Sequence, residues 1–190
     1  MRIETEFARR VLCKNPGEDC IKFQVWLNFN EPDLFKFMQM YQRQTFQDFG
    51  PLLFSEIWID LFSATVNRVD MLRLLVFSAR ISLHNRERDG AMNHASRRAI
   101  NLADQLLIDD SEKNRKKAFN ATVRRRRGEP DMLYTAKQCG AYALNKNDEL
   151  LSQRNRFFGL KLFIKSIYFY DNSEKEKFID FVGNLMKSYD

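Results

Sequence analysis

Turn-forming residues are scarce in this chain: seven glycines and four prolines are spread through 190 residues. An all-β fold of short strands wants a turn signal roughly every 8–12 residues, so the scarcity favours long helices. The segments between breakers carry apolar residues at helical spacing. Met71, Leu72, Leu75, Val76, Ala79 and Leu83 recur on one face of a helix expected over about Val69–Arg86. Apolar residues make up 44% of the chain, enough to bury a core rather than remain a disordered tail.

The breakers set the order of the elements. Met1–Cys13 reads as a short helix with Ile3, Phe7, Val11 and Leu12 on one side, ended by Asn15-Pro16-Gly17. Asn30 with Pro32 opens a helix from Asp33 to about Gln47, and Pro51 opens the next, with Leu52, Leu53, Ile57, Leu61 and Phe62 inward. The chain is expected to bend or restart near Val66–Asp70. Asp89-Gly90 is the turn before a helix over about Ala91–Leu107, and Asp110 or Ser111 caps the one after it. Gly128 and Pro130 break that helix, and two more follow at about Asp131–Leu144 and Asn147–Phe158. Ser173 and Glu176 have capping-box spacing ahead of a terminal amphipathic helix carrying Phe178, Phe181, Val182 and Leu185. Two stretches stay open between helix and strand. Ile21–Phe29 alternates apolar and other residues with period two, and Leu160–Tyr170 is apolar without a clear period. The expectation is a mainly α fold: one compact domain over residues 1–190, a bundle of about seven or eight helices, with 21–29 and 160–170 as a candidate two-stranded element.

Charge is unevenly placed. The chain carries +6, yet the window Arg80–Arg127 holds thirteen basic and six acidic residues, a net of +7, and the remainder is near neutral. The clusters are Arg97-Arg98, Lys113 with Arg115-Lys116-Lys117, and Arg124-Arg125-Arg126-Arg127. Guanidinium groups suit phosphate because their planar fork offers two donors, and displaced counterions drive such binding. Two plainer readings stand beside this one. A basic run before a break can simply complement the C-terminal helix dipole, and Lys116-Lys117 with Arg124–Arg127 has the look of a nuclear import signal. The aromatic groups at Phe157-Phe158 and Tyr168-Phe169-Tyr170 lie next to basic residues and could stack on bases, though rings at helical spacing more often build the core.

Recognised catalytic patterns are lacking. There is no glycine-rich phosphate loop. His84 and His94, the only histidines, are ten residues apart, which does not place them on one helical face. Glu56 and Asp60 at i,i+4 have metal-capable spacing that surface acids also adopt constantly. Zinc on Cys13, Cys20 and a histidine, or a Cys139–His dyad, lacks supporting residues. The expectation is a non-enzyme without metal or cofactor. Cys13, Cys20 and Cys139 read as buried small hydrophobes in a reducing compartment. No stretch has the apolar length of a transmembrane helix, and the first residues lack the apolar run of a secretory signal, so the expected location is intracellular, cytoplasmic or nuclear.

The stretch Leu61-Phe62-Ser63-Ala64-Thr65-Val66-Asn67, followed by Met71, Leu72, Leu74, Leu75 and Phe77, resembles the first homology motif of the Bcl apoptosis-regulator family. The resemblance is confined to Leu61–Phe77. It implies an all-helical fold that binds an amphipathic partner helix in a groove. Where the family has Trp-Gly-Arg, this chain has Arg68-Val69-Asp70, which reverses the charge offered to the partner.

Two functional expectations follow. The leading one is a nucleic-acid-binding protein, directed to RNA rather than DNA and nucleoprotein-like, with Arg97, Arg98, Arg115, Lys116, Lys117, Arg124, Arg125, Arg126 and Arg127 on phosphates. The alternative is a helical protein-interaction module of the apoptosis-regulator type, and a homo-oligomer is compatible with either.

Overall fold

The computed structural model describes residues 1–13, 20–28, 33–40, 51–88, 94–123, 157–169 and 172–189. Among them are nine helices and no strand. These are α1 (Thr5–Leu12), α2 (Ile21–Asn28), α3 (Leu34–Met40), α4 (Pro51–Thr65), α5 (Arg68–Arg88), α6 (His94–Gln105), α7 (Glu112–Val123), α8 (Phe158–Phe169) and α9 (Asn172–Met186). The mainly α expectation holds. The Asp89-Gly90 turn, the Gly128 and Pro130 breaks, the two helices expected between residues 131 and 158, Cys139 and Arg124–Arg127 lie outside the described residues.

The candidate two-stranded element is corrected: both of its halves are helical. In α2 the period-two pattern is accidental. Phe23 and Trp26, one turn apart, are buried together with Val25, whereas Ile21 and Leu27, both apolar members of the alternation, are exposed. In α8 the buried side chains Leu160, Phe163, Ile164, Ile167 and Tyr168 follow the i, i+3, i+4, i+7, i+8 rule of a helix face.

The chain divides into two compact units, Met1–Asn67 with Ile164–Asp190, and Arg68–Phe163. In the first unit, α4 packs against α1, α2 and α3, and α9 packs against α3. Its core is aromatic. Phe37 lies 5.1 Å from Trp26 and 5.0 Å from Phe54, and Phe54 lies 5.3 Å from Tyr168. Trp58 stacks on Phe62 at 4.6 Å and meets Phe178 edge-on at 5.7 Å. The Tyr168 hydroxyl donates to the Met38 carbonyl at 2.9 Å, so a buried ring keeps its polar end satisfied.

Two local devices fix this unit's register. Asp33 is the N-cap of α3: its Oδ1 accepts from the Phe35 and Lys36 N–H groups, both at 2.9 Å. Partial burial alone would raise its pKa. The Lys36 amide, the Met1 ammonium at 3.1 Å and the Phe35 amide outweigh that and hold the carboxyl below its ordinary value. Glu56 and Asp60, the acids with metal-capable spacing, are instead bridged by Lys22, at 3.3 and 2.8 Å, which ties α2 to α4. Among the described residues no three His, Cys, Asp or Glu side chains gather as a metal site.

The cysteine reading is also corrected. Cys13 is buried, but Cys13 and Cys20 form a disulfide, with Cα atoms 5.7 Å apart. The reason lies in the helix ends. α1 stops at Leu12 and α2 starts at Ile21, so the two residues flank one short connection and meet within bridging range. Cysteine usage therefore gives no argument for a reducing compartment. No helix among the described residues is long and apolar enough to cross a membrane.

The second unit is built differently. α6 packs against both α5 and α7. Leu74, Leu75, Ala79, Ala99, Ile100, Ala103, Leu106 and Ala118 are buried, and their modest size suits close helix packing. Ser111 ends the short connection between α6 and α7, and its hydroxyl accepts from the Asn114 N–H at 3.4 Å.

Candidate nucleic-acid interface

The second unit, residues 68–163, contains twenty basic and eleven acidic residues, a net of +9, whereas the first contains eleven and fourteen, a net of −3. The basic excess is thus a property of one unit. Within it the described candidate cations fall on α6 and α7, joined by residues 106–111 as an antiparallel hairpin.

The structure sorts these cations by what already holds them. Arg97 donates to Glu87 of α5 at 2.6 Å. Arg80 of α5 likewise bonds Asp104 of α6, so the two pairs cross the same helix contact. A step of seven residues down α5 matches a step of seven up α6, which is antiparallel register. Arg97 is therefore a strut between helices. Arg115 is committed in the same way. Its Nε donates to Asp110 Oδ1 at 2.6 Å, its second nitrogen bonds Oδ2, and its side chain is only 17% exposed. The Asp110 carboxylate raises its already high pKa.

Lys116 pairs with Glu112 one turn earlier, at 2.8 Å, with both side chains well exposed. Arg98, Lys113 and Lys117 are exposed, and among the described residues no ion pair or hydrogen bond holds them. Lys113 belongs to the basic window but not to the candidate list; its i,i+4 spacing from Lys117 on one exposed face was the available signal. Arg88, at the end of α5, is exposed and has no ion pair among the described residues either.

The position of these groups along their helices matters as much as their exposure. Arg97 and Arg98 lie four and five residues into α6, and Lys113 to Lys117 lie two to six residues into α7. Lys113 stands in the first turn of α7, where the macrodipole is positive and disfavours a cation, while Arg98 and Lys117 lie past the first turn of their helices. None of these residues stands in the last turn of its helix, and Arg124–Arg127, the run before a break for which a C-terminal dipole is the plain reading, lies outside the described residues. At Lys113 the field of the helix terminus adds to that of the side chain, and both attract an anion.

Two of the aromatic candidates, Phe157 and Tyr168, are core, and Tyr170 lies outside the described residues. Phe157 and Tyr168 are 3% and 7% exposed, which removes their rings from stacking on bases. The helix-in-groove alternative needs exposed apolar side chains beside α5. Met71, Leu72, Leu74, Leu75, Val76, Ala79 and Leu83 are buried, and the exposed large apolar residue of α5 is Val69. Asp70, where the resembled family has arginine, is buried and bonded to Arg73 at 2.9 Å. His84 and His94 are exposed on different helices.

No protein-family model, curated protein or solved structure matches the chain.

Proposed function

We propose that this chain is a non-enzymatic nucleic-acid-binding protein that grips the phosphate backbone, of RNA in preference to DNA, through the outer face of the α6–α7 hairpin and the Arg124–Arg127 run that follows α7. The observation that carries the reading is the trio Arg98, Lys113 and Lys117. These three exposed cations lack a carboxylate among the described residues. An exposed cation without a carboxylate partner gains most from an external anion. Arg97 and Arg115 leave the list of phosphate contacts, because moving them would break bonds that hold the hairpin and its neighbour.

The test is the salt dependence of RNA binding by the triple variant Arg98→Gln/Lys113→Gln/Lys117→Gln. Loss of three phosphate contacts flattens the slope of log affinity against log salt by about 2 on a single strand, and weakens unrelated sequences alike. Arg124–Arg127→Gln acts in the same direction. Unchanged affinity of the triple variant at moderate salt overturns the reading.

A further inference from the structure

The ion pairs between α5 and α6 fix which residues stand beside them. Glu87 meets Arg97 and Arg80 meets Asp104, so the helices pass each other antiparallel along this seam. A two-fold axis relates two antiparallel helices, and each residue turns about 100° from the one before it. Residues that follow the paired ones therefore face one side of the seam, and residues that precede them face the other. Burial agrees. Ala79, Ser96 and Ala103, each just before a paired residue, are buried, whereas Arg88, Arg98 and Gln105, each just after one, are exposed. The exposed side collects basic groups at helical spacing. Arg80, His84 and Arg88 lie four apart on α5, and His94 and Arg98 lie four apart on α6, all of them exposed. Arg88, Arg98, His84 and His94 thus surround the Glu87–Arg97 pair, each within one helical turn of it. The acids of the seam, Glu87 and Asp104, are both bonded to arginines. Among the described residues no ion pair holds Arg88, Arg98 or either histidine. α7, packed on α6, adds Lys113, Arg115, Lys116 and Lys117 against Glu112. Histidine gains a charge and a second N–H donor as the pH falls from about 8 to about 5, so this side can gain two more cations.

We propose that the exposed side of the α5–α6 seam is a second phosphate-binding surface, joined to the α6–α7 face through Arg98, and that acidification strengthens its hold on RNA by charging His84 and His94. The inference rests on the proposed function and extends it from the hairpin onto α5. Arg88 and Arg98 form the constant part of the surface, and the two imidazoles form the part that varies with pH.

The experiment measures binding of a short mixed-sequence single-stranded RNA by fluorescence anisotropy across a salt series, at about pH 7.5 and about pH 5.5. The proteins are the full chain, His84→Gln/His94→Gln, Arg88→Gln, and Arg10→Gln as a control at an exposed arginine of α1. Circular dichroism on each, at both pH values, verifies that the helices remain folded. At the lower pH the full chain binds on the order of tenfold more tightly at about 0.1 M salt, with a salt slope steeper by about 1.4 for two added contacts. His84→Gln/His94→Gln matches the full chain at the higher pH and loses that gain. Arg88→Gln is about fivefold weaker at either pH, and Arg10→Gln is not. A histidine variant that keeps the whole gain on acidification, or an Arg88→Gln no weaker than Arg10→Gln, overturns the inference and leaves the proposed function standing. Absence of salt-dependent RNA binding by the unmodified chain overturns both.

Discussion

The two units of this chain solve the same problem with different chemistry. Residues 1–67 with 164–190 carry −3 and enclose a chain of rings running from Trp26 through Phe37 and Phe54 to Tyr168, with Trp58 sandwiched near Phe62 and Phe178. Residues 68–163 carry +9, and α5 to α7 join through aliphatic and alanine contacts edged by ion pairs. The first unit commits its polar groups inward: Lys22 to two carboxylates, Asp33 to a helix start, Tyr168 to a carbonyl. The second leaves cations outward. The ring chain and the basic excess belong to different units.

Three measurements would break or sharpen that contrast, and an instrumental convenience helps: both tryptophans, Trp26 and Trp58, lie in the first unit. Their fluorescence follows that unit, while circular dichroism follows both. The largest effect is expected from Phe37→Ala. This ring is 1% exposed and touches two others, so its loss costs about 3–5 kcal/mol in urea denaturation followed by tryptophan emission. A loss below about 1 kcal/mol would mean that the ring chain is not what holds the unit together. Next is the disulfide. Closing so short a loop is worth about 2–3 kcal/mol in chain entropy, so Cys13→Ser should shift the same fluorescence transition by that amount, and reduction of the parent should match it. A transition indifferent to reductant would remove the cross-link from the comparison. Smallest is the double-mutant cycle on Arg80 and Asp104. Their side chains are 54% and 39% exposed, and the coupling should be below about 1 kcal/mol and fade with added salt. A larger, salt-resistant coupling would show the second unit to be pinned by its charges rather than edged by them.

How far the sequence could be read differs between fold and surface. Helix boundaries were legible wherever a residue with a backbone role marked them: Pro51 opens α4, Ser111 precedes α7, and the restart expected near Val66–Asp70 falls at Arg68. The helix expected from Asp33 starts at Leu34, one residue later, because Asp33 serves as its cap and places its carboxylate over two N–H groups. The α2 helix was illegible in period alone: eight residues hold barely two turns, over which periods of two and 3.6 overlap. The disulfide was hidden by an odd cysteine count. The binding face was legible as a net charge but not as a set of groups. Which arginine is available depends on register between helices, and nothing in the composition says that Arg97 meets Glu87 while its neighbour Arg98 meets no carboxylate among the described residues.

The crossed pairs between α5 and α6 carry a meaning beyond their small energy. Cation and anion exchange places along the contact: arginine then glutamate on one helix, arginine then aspartate on the other, each seven residues apart. Laid side by side in the same direction, the helices would set Arg80 against Arg97 and Glu87 against Asp104. The pattern thus encodes polarity. A neighbouring molecule that lends its α6 to this α5 keeps both attractions only by entering head to tail, so the charges restrict the geometry in which two copies can trade helices.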